Sequence, residues 1–272
     1  MEKISIIGSG NIGFSLAKGL VAKNYCSADN ITLTRRNLAH LTEEKKSGFQ
    51  VSSDNAQAVL GAGIIVLAVL PQQLDQVLAE IGDVLDVEKQ LLISVVSGVK
   101  CKDIRNKIAQ PQARVVRAMP NTAISIGQSM TCIASDPGNA GDMKQVSSLF
   151  ENVGAVIQIQ EDLMTAATAL CACGTAFFLR AIRAASQGGV EVGFHADEAL
   201  KMAVQTAKGA ADLLLKMNTH PESEIDKVTS PKGCTIAGLN EMEHHGFSSS
   251  LIKGIKLSAL KAGGLYTDEQ QN

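Results

Sequence analysis

A change of pattern along the chain predicts an α/β fold, in which a doubly wound sheet is followed by an all-helical domain. Strand-like and helix-like segments alternate between residues 3 and 159, as expected for parallel strands joined by helical crossovers. One strand-like segment, residues 64–69, is wholly apolar, which is typical of a strand covered on both faces. Later residues show only helical periodicity, so we expect domains at residues 1–162 and 163–272.

Each predicted element has its own local signal. Short apolar or β-branched runs predict strands at residues 3–7, 31–34, 50–52, 64–69, 90–94, 115–118, 130–134 and 155–159. Helical spacing in the first domain predicts helices at residues 12–22, 37–46, 54–60, 74–81, 101–108 and 140–152. The same period in the second domain predicts helices at residues 163–186, 196–217, 221–226, 235–244 and 248–263.

The composition excludes several classes of protein. Hydrophobic residues make up 45% of the 272 residues and charged residues 19%, which is typical of a globular chain rather than a disordered one. The net charge of −2 offers no basic excess for a phosphate backbone, and aromatic residues reach only 3%, with no Trp. We therefore expect no nucleic-acid partner.

We find no sequence pattern for export, for a membrane or for a metal. Met1 is not followed by an apolar leader, and the most continuous apolar stretch, residues 64–70, falls far short of the ~20 residues of a spanning helix. The six cysteines form no Cys-x-x-Cys pair, and the five histidines form no His-Glu-x-x-His motif. We expect a cytoplasmic protein with reduced thiols, no membrane partner and no metal site.

A glycine motif lies between the first predicted strand and the first predicted helix. Gly8 permits a tight turn, Gly10 lets the backbone approach a pyrophosphate, and Gly13 lets the helix pack closely on the strand. The helix N-terminus adds N–H groups and a partial positive charge. This context predicts a Rossmann-type dinucleotide site, whose residues are Gly8, Ser9, Gly10, Asn11, Ile12 and Gly13.

The end of the second predicted strand carries arginine where an NAD-specific site carries an acid. Arg35 lies about 20 residues after Gly13, the position that meets the ribose 2′ substituent. The guanidinium groups of Arg35 and Arg36 suit a 2′-phosphate, although a solvated basic turn is the simpler interpretation. We therefore expect NADP(H) as the cofactor, with NAD(H) as the alternative.

Further cofactor candidates fall at the carboxyl ends of strands, where a doubly wound sheet binds its ligand. Asn55 is placed on the adenine side, and Met119 and Asn121 beside the nicotinamide. Core packing for Met119 and a turn cap for Asn121 are the alternatives. Taken singly each position is an ordinary turn residue, but together they outline one crevice, with Ala68, Val69, Leu70, Ser97, Gly98 and Pro120 as its remaining members.

Two longer motifs carry a family resemblance. Residues 117–122 read Arg-Ala-Met-Pro-Asn-Thr, and residues 230–235 read Ser-Pro-Lys-Gly-Cys-Thr. They resemble the Arg-x-Met-Pro-Asn-Thr and Ser-Pro-Gly-Gly-x-Thr stretches of pyrroline-5-carboxylate reductases, and the resemblance covers nearly the whole chain. It implies reduction of the C=N bond of Δ1-pyrroline-5-carboxylate to L-proline with NAD(P)H, the last step of proline biosynthesis.

The resemblance also implies site residues in the second domain. Thr235 would hydrogen-bond the ring nitrogen of the substrate, as the one catalytic residue. Ser230, with the free N–H groups of Gly233, Cys234 and Thr235, would bind the substrate carboxylate at a helix N-terminus. From the residues alone, an ordinary helix N-cap is the simpler interpretation of this loop.

The family forms a two-fold dimer through its helical domain, and some members build pentamers of dimers. We therefore expect a homodimer at least, with a pentamer of dimers as the larger alternative. Leu70, Thr175 and Lys232 depart from the family pattern, which leaves a non-catalytic NADP(H)-binding paralogue, acting as a sensor or assembly module, as one alternative function. A β-hydroxyacid-type dehydrogenase is the other, but its chemistry needs a general base, usually Lys on the long helix, and residues 163–186 contain none.

Overall fold

Eight strands form one sheet in the computed structural model, which describes residues 2–136 and 139–264. The strands are β1 (Ile4–Ile7), β2 (Ile31–Thr34), β3 (Gln50–Ser52), β4 (Ile64–Leu67), β5 (Leu91–Ser94), β6 (Arg114–Met119), β7 (Ser129–Ala134) and β8 (Gly154–Gln158). The order across the sheet is β3-β2-β1-β4-β5-β6-β7-β8. All eight predicted strands are confirmed, with ends shifted by up to two residues.

The central strands are buried on both faces because helices cover the sheet on each side. Every residue of β1, β4 and β5 is buried. Ile64 and Val66 of β4 point into one apolar cluster, whereas Ile65 and Leu67 point into the other. The strands in the part of the sheet ordered β3-β2-β1-β4-β5-β6 all pair in parallel. The predicted doubly wound sheet is therefore confirmed.

Strand β7 reverses the direction of the sheet. It pairs antiparallel with β6 and parallel with β8. Nine residues, 120–128, separate β6 from β7, and they include a 3-10 turn (Thr122–Ile126) and Gly127 at φ +68°. This connection is shorter than the dozen or more residues that a parallel crossover needs, so the chain turns back on itself.

The helices of the first part of the chain lie close to their predicted ranges. They are α1 (Asn11–Ala22), α2 (Thr42–Lys46), α3 (Asn55–Val59), α4 (Pro71–Ile81), α5 (Cys101–Lys107) and α6 (Ala140–Glu151). Helix α4 begins three residues before its predicted start because Pro71 occupies the first helical position, where its fixed φ favours the helix. Residues 38–41, predicted as α-helix, form a 3-10 turn that leads into α2.

The long helix predicted at residues 163–186 is longer than expected and is not uniform. A 3-10 turn (Glu161–Leu163) leads into α7 (Met164–Ala167), a π-helical segment (Thr168–Cys173) and α8 (Gly174–Glu191). A π-helical segment requires no special residue type, so the sequence alone does not reveal where a helix widens. The later helices are α9 (Ala196–Met217), α10 (Pro221–Val228), α11 (Cys234–His244) and α12 (Phe247–Gly264).

Residues Gly174–Lys256 form a compact unit with almost no core of its own, whereas the other unit contains the sheet. Only Gly174, Ser186 and Ala199 are buried in this segment. Within it α8 and α9 approach closely, since a Cβ added to Gly189 would lie 2.9 Å from the Ala199 Cβ. Large apolar side chains are exposed instead, among them Phe178, Leu179, Leu215 and Met217. Exposed apolar surface of this kind is typical of a protein that associates with a partner.

One helical run contradicts the expectation that no segment is long enough to cross a membrane. Among the described residues, Glu161–Glu191 passes the test of length and apolar composition. Our search for continuous apolar runs missed it because its small residues are interleaved with polar ones. Only 28% of its most apolar window is buried within the chain, so this helix offers apolar surface to another molecule.

Candidate functional site

The glycine turn after β1 is shaped by the close approach of two neighbouring segments. Gly8 has a φ of +95°, and a Cβ there would lie 2.7 Å from Val69 Cγ1. A Cβ on Gly13 would lie 2.4 Å from the Gly8 carbonyl oxygen. Both glycines are therefore required by the packing of the protein itself, as the motif predicts.

Gly10 differs from the two other glycines because nothing in the described chain crowds it. A Cβ there would meet no atom within 4 Å, and its φ of −81° suits any residue. Gly10 is also the N-cap of α1, and no side chain caps that helix among the described residues. The buried Ser9 hydroxyl has no hydrogen-bond partner in the described structure. Open space, unused donors and a helix N-terminus fit a dinucleotide pyrophosphate.

A cleft of about 410 Å³ opens beside this turn. Arg35 lines it at the end of β2, as predicted, together with His40 and Glu44 from the segment that follows. Sequence reasoning missed His40 and Glu44 because no motif marks them. Polar residues of α1 and of the turn after β6 also line the cleft, namely Asn11, Ser15, Thr122 and Ser125.

Arg36 and Asn55, both predicted to bind the cofactor, are joined by a hydrogen-bond chain along α4. Arg36 Nη2 donates to Gln76 Oε1 at 3.0 Å, and Gln76 Nε2 donates to Glu80 Oε1 at 2.8 Å. Asn55 Nδ2 donates to Glu80 Oε2 at 2.6 Å. The side chains are exposed, and the chain of bonds links the segments that follow β2, β3 and β4.

The remaining candidates at the ends of β4 and β5 are turn residues. The Ala68 N–H donates to the Ile7 carbonyl at 2.8 Å, which ties the end of β4 to β1. Leu70 is 64% exposed, immediately before α4. Ser97 is half-buried, and Gly98 has a φ of +80°, a conformation that favours glycine.

Asn121 organises the turn after β6. Its Oδ1 accepts from the Ala123 N–H at 3.0 Å, and its Nδ2 donates to the Cys171 carbonyl oxygen at 3.2 Å. The first bond is the turn cap that we gave as the alternative, and the second reaches the π-helical segment. Met119, which precedes Pro120, is buried in an apolar cluster with Cys132 and Met164.

A buried ion pair lies behind this turn and was not predicted. Arg117 is only 3% exposed, and its Nη1 lies 3.6 Å from Glu161 Oε1. Burial lowers the pKa of Arg117, while the nearby Glu161 carboxylate opposes that shift. Glu161 also accepts from the Cys101 N–H at 2.7 Å, so it joins the start of α5 to the start of the long helix. No sequence signal connects residues so far apart.

The loop before α11 is a tight turn. The Gly233 N–H donates to the Ser230 carbonyl at 2.9 Å, and Lys232 has a φ of +61°. With Pro231 in the second position, this is the arrangement of a type II turn, whose third residue is usually Gly. Lys232 therefore occupies a left-handed position, which is Gly in the Ser-Pro-Gly-Gly-x-Thr stretch that this loop resembles.

The turn corrects the predicted role of the Gly233 N–H group in the substrate loop. The Gly233 N–H, which we assigned to the substrate carboxylate, is used to close the turn. Gly233 matters instead for its missing side chain, because a Cβ there would lie 2.5 Å from Ser230 Oγ. Cys234 and Thr235 are the first two residues of α11, so their N–H groups have no intrahelical acceptor.

Comparison with known proteins agrees with this geometry. Residues 3–98 match a family model described as NADP oxidoreductase, coenzyme F420-dependent, and residues 161–265 match one described as pyrroline-5-carboxylate reductase dimerisation. Pyrroline-5-carboxylate reductase 2 of Dictyostelium discoideum is 47% identical over 279 residues, which cover 96% of this chain and 92% of that protein. The chain belongs to the pyrroline-5-carboxylate reductase family.

Other reductases of this family support the same assignment. Pyrroline-5-carboxylate reductase 1 of Dictyostelium discoideum is 49% identical over 99% of this chain, which spans about half (51%) of that longer protein. A crystal structure of Plasmodium falciparum pyrroline carboxylate reductase with NADP bound has a TM-score of 0.89 at 25% identity, with 98% of each chain covered. A reductase from Coxiella burnetii has a TM-score of 0.86 at 31% identity, over 97% of this chain and 98% of that one.

The dimerisation match explains the exposed apolar helices. The matched residues, 161–265, include the apolar helical run Glu161–Glu191 and the whole of the unit Gly174–Lys256, which has almost no core of its own. Self-association therefore accounts for apolar side chains that a single chain leaves in water.

Proposed function

We propose that this chain reduces the ring C=N bond of Δ1-pyrroline-5-carboxylate to L-proline with NADPH. Membership of the reductase family, at 47% identity over 92% of a relative's length, is the observation that carries the proposal. The glycine turn supports it, because Gly10 and the Ser9 hydroxyl are unused by the described fold and suit a dinucleotide.

In this reaction the residues of the chain bind the substrate and the cofactor, orient them towards each other and exclude water from the site. When bound, NADPH supplies the hydride that the imine carbon receives. The Thr235 hydroxyl oxygen accepts a hydrogen bond from the protonated ring nitrogen, which keeps the ring in one orientation. The Ser230 hydroxyl and the N–H groups of Cys234 and Thr235 bind the substrate carboxylate. A protonated C=N bond is already electrophilic, so the reaction needs no strong general acid.

The cofactor is held by the glycine turn and selected at the end of β2. Arg35 binds the 2′-phosphate from its position in the cleft beside Gly10. Arg36, the backbone of residues 68–70 and 97–98, Asn55 and Asn121 complete the proposed contacts. If Arg35 reads the 2′-phosphate, Arg35→Ala raises the Kd of NADPH and leaves that of NADH nearly unchanged. Equal effects on the two cofactors would contradict this role.

Thr235 is tested by the loss of its hydroxyl. A hydrogen bond to a charged group is worth about 1.5–3 kcal/mol, so Thr235→Ala lowers kcat/KM by about ten- to a hundredfold. Thr235→Ser keeps the hydroxyl and is the matched control. Full activity of Thr235→Ala would show that the ring nitrogen is held by another group.

One assay separates this function from its two alternatives. NADPH consumption is followed with pyrroline-5-carboxylate, and NADP⁺ reduction with 3-hydroxy acids. Tight NADPH binding without turnover of either substrate would favour the non-catalytic sensor or assembly module. Turnover of a 3-hydroxy acid alone would favour the β-hydroxyacid-type dehydrogenase, for which the long helix lacks the usual Lys.

The finer organisation is part of the proposal. We place the domain boundary between residues 162 and 163, the homodimer as the basic unit, a pentamer of dimers as its larger form, and the protein in the cytoplasm. The exposed apolar side chains of Gly174–Lys256 support association. A stable monomer in sedimentation at micromolar concentration would contradict the dimer.

A further inference from the structure

Two cysteines meet behind the turn that Asn121 organises. Cys132 lies on β7 and is buried, and Cys171 lies in the π-helical segment and is half-buried. Their Sγ atoms are 3.7 Å apart, which is a hydrogen-bond distance for sulfur. A disulfide bond is about 2.05 Å long, so the two sulfurs would need to approach by about 1.6 Å to be bonded.

The surroundings favour one thiol as the first to react. The hydrogen bond with the Cys132 thiol lowers the pKa of Cys171, although burial opposes the shift. The same hydrogen bond and burial raise the pKa of Cys132. Within the chain Cys171 is also the more exposed of the two cysteines, so it is the one that forms a thiolate more readily and that a small oxidant reaches first.

We propose that Cys132 and Cys171 are a redox modification site, at which a peroxide converts the thiol pair into an intramolecular disulfide. The Cys171 thiolate attacks a peroxide oxygen, the O–O bond breaks, and the sulfur becomes a sulfenic acid as water leaves. The Cys132 sulfur then attacks the sulfenic sulfur, the S–S bond forms and a second water leaves. With hydrogen peroxide, two thiols give one disulfide and two waters, so two electrons pass from sulfur to oxygen.

The position of the pair links it to the proposed cofactor cleft. The Cys171 carbonyl accepts from Asn121 Nδ2, and Asn121 Oδ1 caps the turn whose Thr122 and Ser125 line the cleft. Drawing Cys171 toward β7 strains this chain of bonds. Losing one hydrogen bond of about 1 kcal/mol corresponds to about a fivefold rise in the Kd of NADPH. This effect on NADPH affinity rests on the proposed function, whereas disulfide formation does not.

The test begins with the folded 272-residue chain and needs no cofactor. After treatment with hydrogen peroxide and blocking of the remaining thiols, peptide mass spectrometry is expected to find a Cys132–Cys171 cross-link that a dithiol reductant removes. Cys171→Ser and Cys132→Ser abolish the cross-link. Cys173→Ser, two residues further along the same segment, retains it and is the matched control.

Three results would overturn the proposal. They are a bond from Cys171 to Cys173, a bond between two chains, and a Cys132–Cys171 cross-link that forms equally in the unfolded chain. NADPH affinity is measured separately on reduced and oxidised protein by fluorescence. An unchanged Kd with the disulfide present would refute the link to the cleft, and absence of NADPH binding in the reduced protein would refute the proposed function.

Discussion

Gly10 and Gly13 allow the glycine motif to be divided into a part that serves the fold and a part that serves the ligand. The same substitution, Gly→Ala, is made three residues apart in one turn. At Gly13 the new Cβ would lie 2.4 Å from the Gly8 carbonyl oxygen, whereas at Gly10 it would meet nothing within 4 Å. The two variants are therefore expected to fail in different ways.

The expected magnitudes follow from these distances. Overpacking at Gly13 costs about 1–3 kcal/mol, against a gain in helix propensity of at most about 1 kcal/mol. For a protein of this size a net loss of 1–2 kcal/mol lowers Tm by roughly 2–8 °C. At Gly10 the stability changes by less than about 0.5 kcal/mol, because its φ is ordinary and no contact is violated.

Gly13→Ala is expected to lose more stability, whereas Gly10→Ala is expected to lose more NADPH affinity. A methyl group at Gly10 stands where the backbone approaches the pyrophosphate, so we expect the Kd of NADPH to rise at least about tenfold, or 1.4 kcal/mol. Thermal unfolding without cofactor and fluorescence titration with NADPH measure the two effects. Parental NADPH affinity in Gly10→Ala would refute our reading of the turn, and so would a Tm loss equal to that of Gly13→Ala.

Three further predictions rest on a backbone angle, on a distance and on the burial of a thiol. Lys232→Gly removes a lysine from the left-handed conformation, so we expect the free energy of unfolding, measured by thermal unfolding, to rise by about 0.5 kcal/mol. The control Lys227→Gly, inside α10, is expected to lower it by about 1 kcal/mol. Gly154→Ala places a Cβ 2.1 Å from the Ser129 carbonyl oxygen at a φ of +153°; a Tm drop of less than about 6 °C would contradict the expected cost of about 3 kcal/mol. Burial raises the pKa of Cys101 to about 12, so at pH 8 iodoacetamide is expected to modify exposed Cys234 in the native protein and to leave Cys101 unmodified until the chain unfolds.

Several parts of this molecule could be predicted because their signals are local. The strands are short runs of apolar residues, and the glycine motif combines a strand, a turn and a helix within residues 4–22. Pro231 before α11 likewise favours a turn, because its fixed φ suits the second position of both type I and type II turns. The structure adds that Lys232 takes up the left-handed conformation despite its side chain.

Other parts depend on residues that only the folded chain brings together. The Arg117–Glu161 pair and the Cys132–Cys171 contact each join segments about 40 residues apart, and neither leaves a periodic trace in the sequence. The π-helical segment is likewise hidden, because an i→i+5 bond pattern requires no special residue type. His40, in the 3-10 turn before α2, and Glu44, in α2, come to line the cleft beside Gly10 only in the folded chain.

The sequence by itself determined the α/β class, the eight strands, the dinucleotide turn and the helical second part, because each depends on a repeating period or on turn chemistry within a few residues. Tertiary structure alone decided that β7 runs against the sheet, and that a π-helical segment interrupts the long helix. It also decided which donors remain for a ligand, since the Gly233 N–H is already used by its turn. The physical reason is that local preferences set what each segment can form, whereas the distances between segments set which groups are satisfied by the fold and which are left for chemistry.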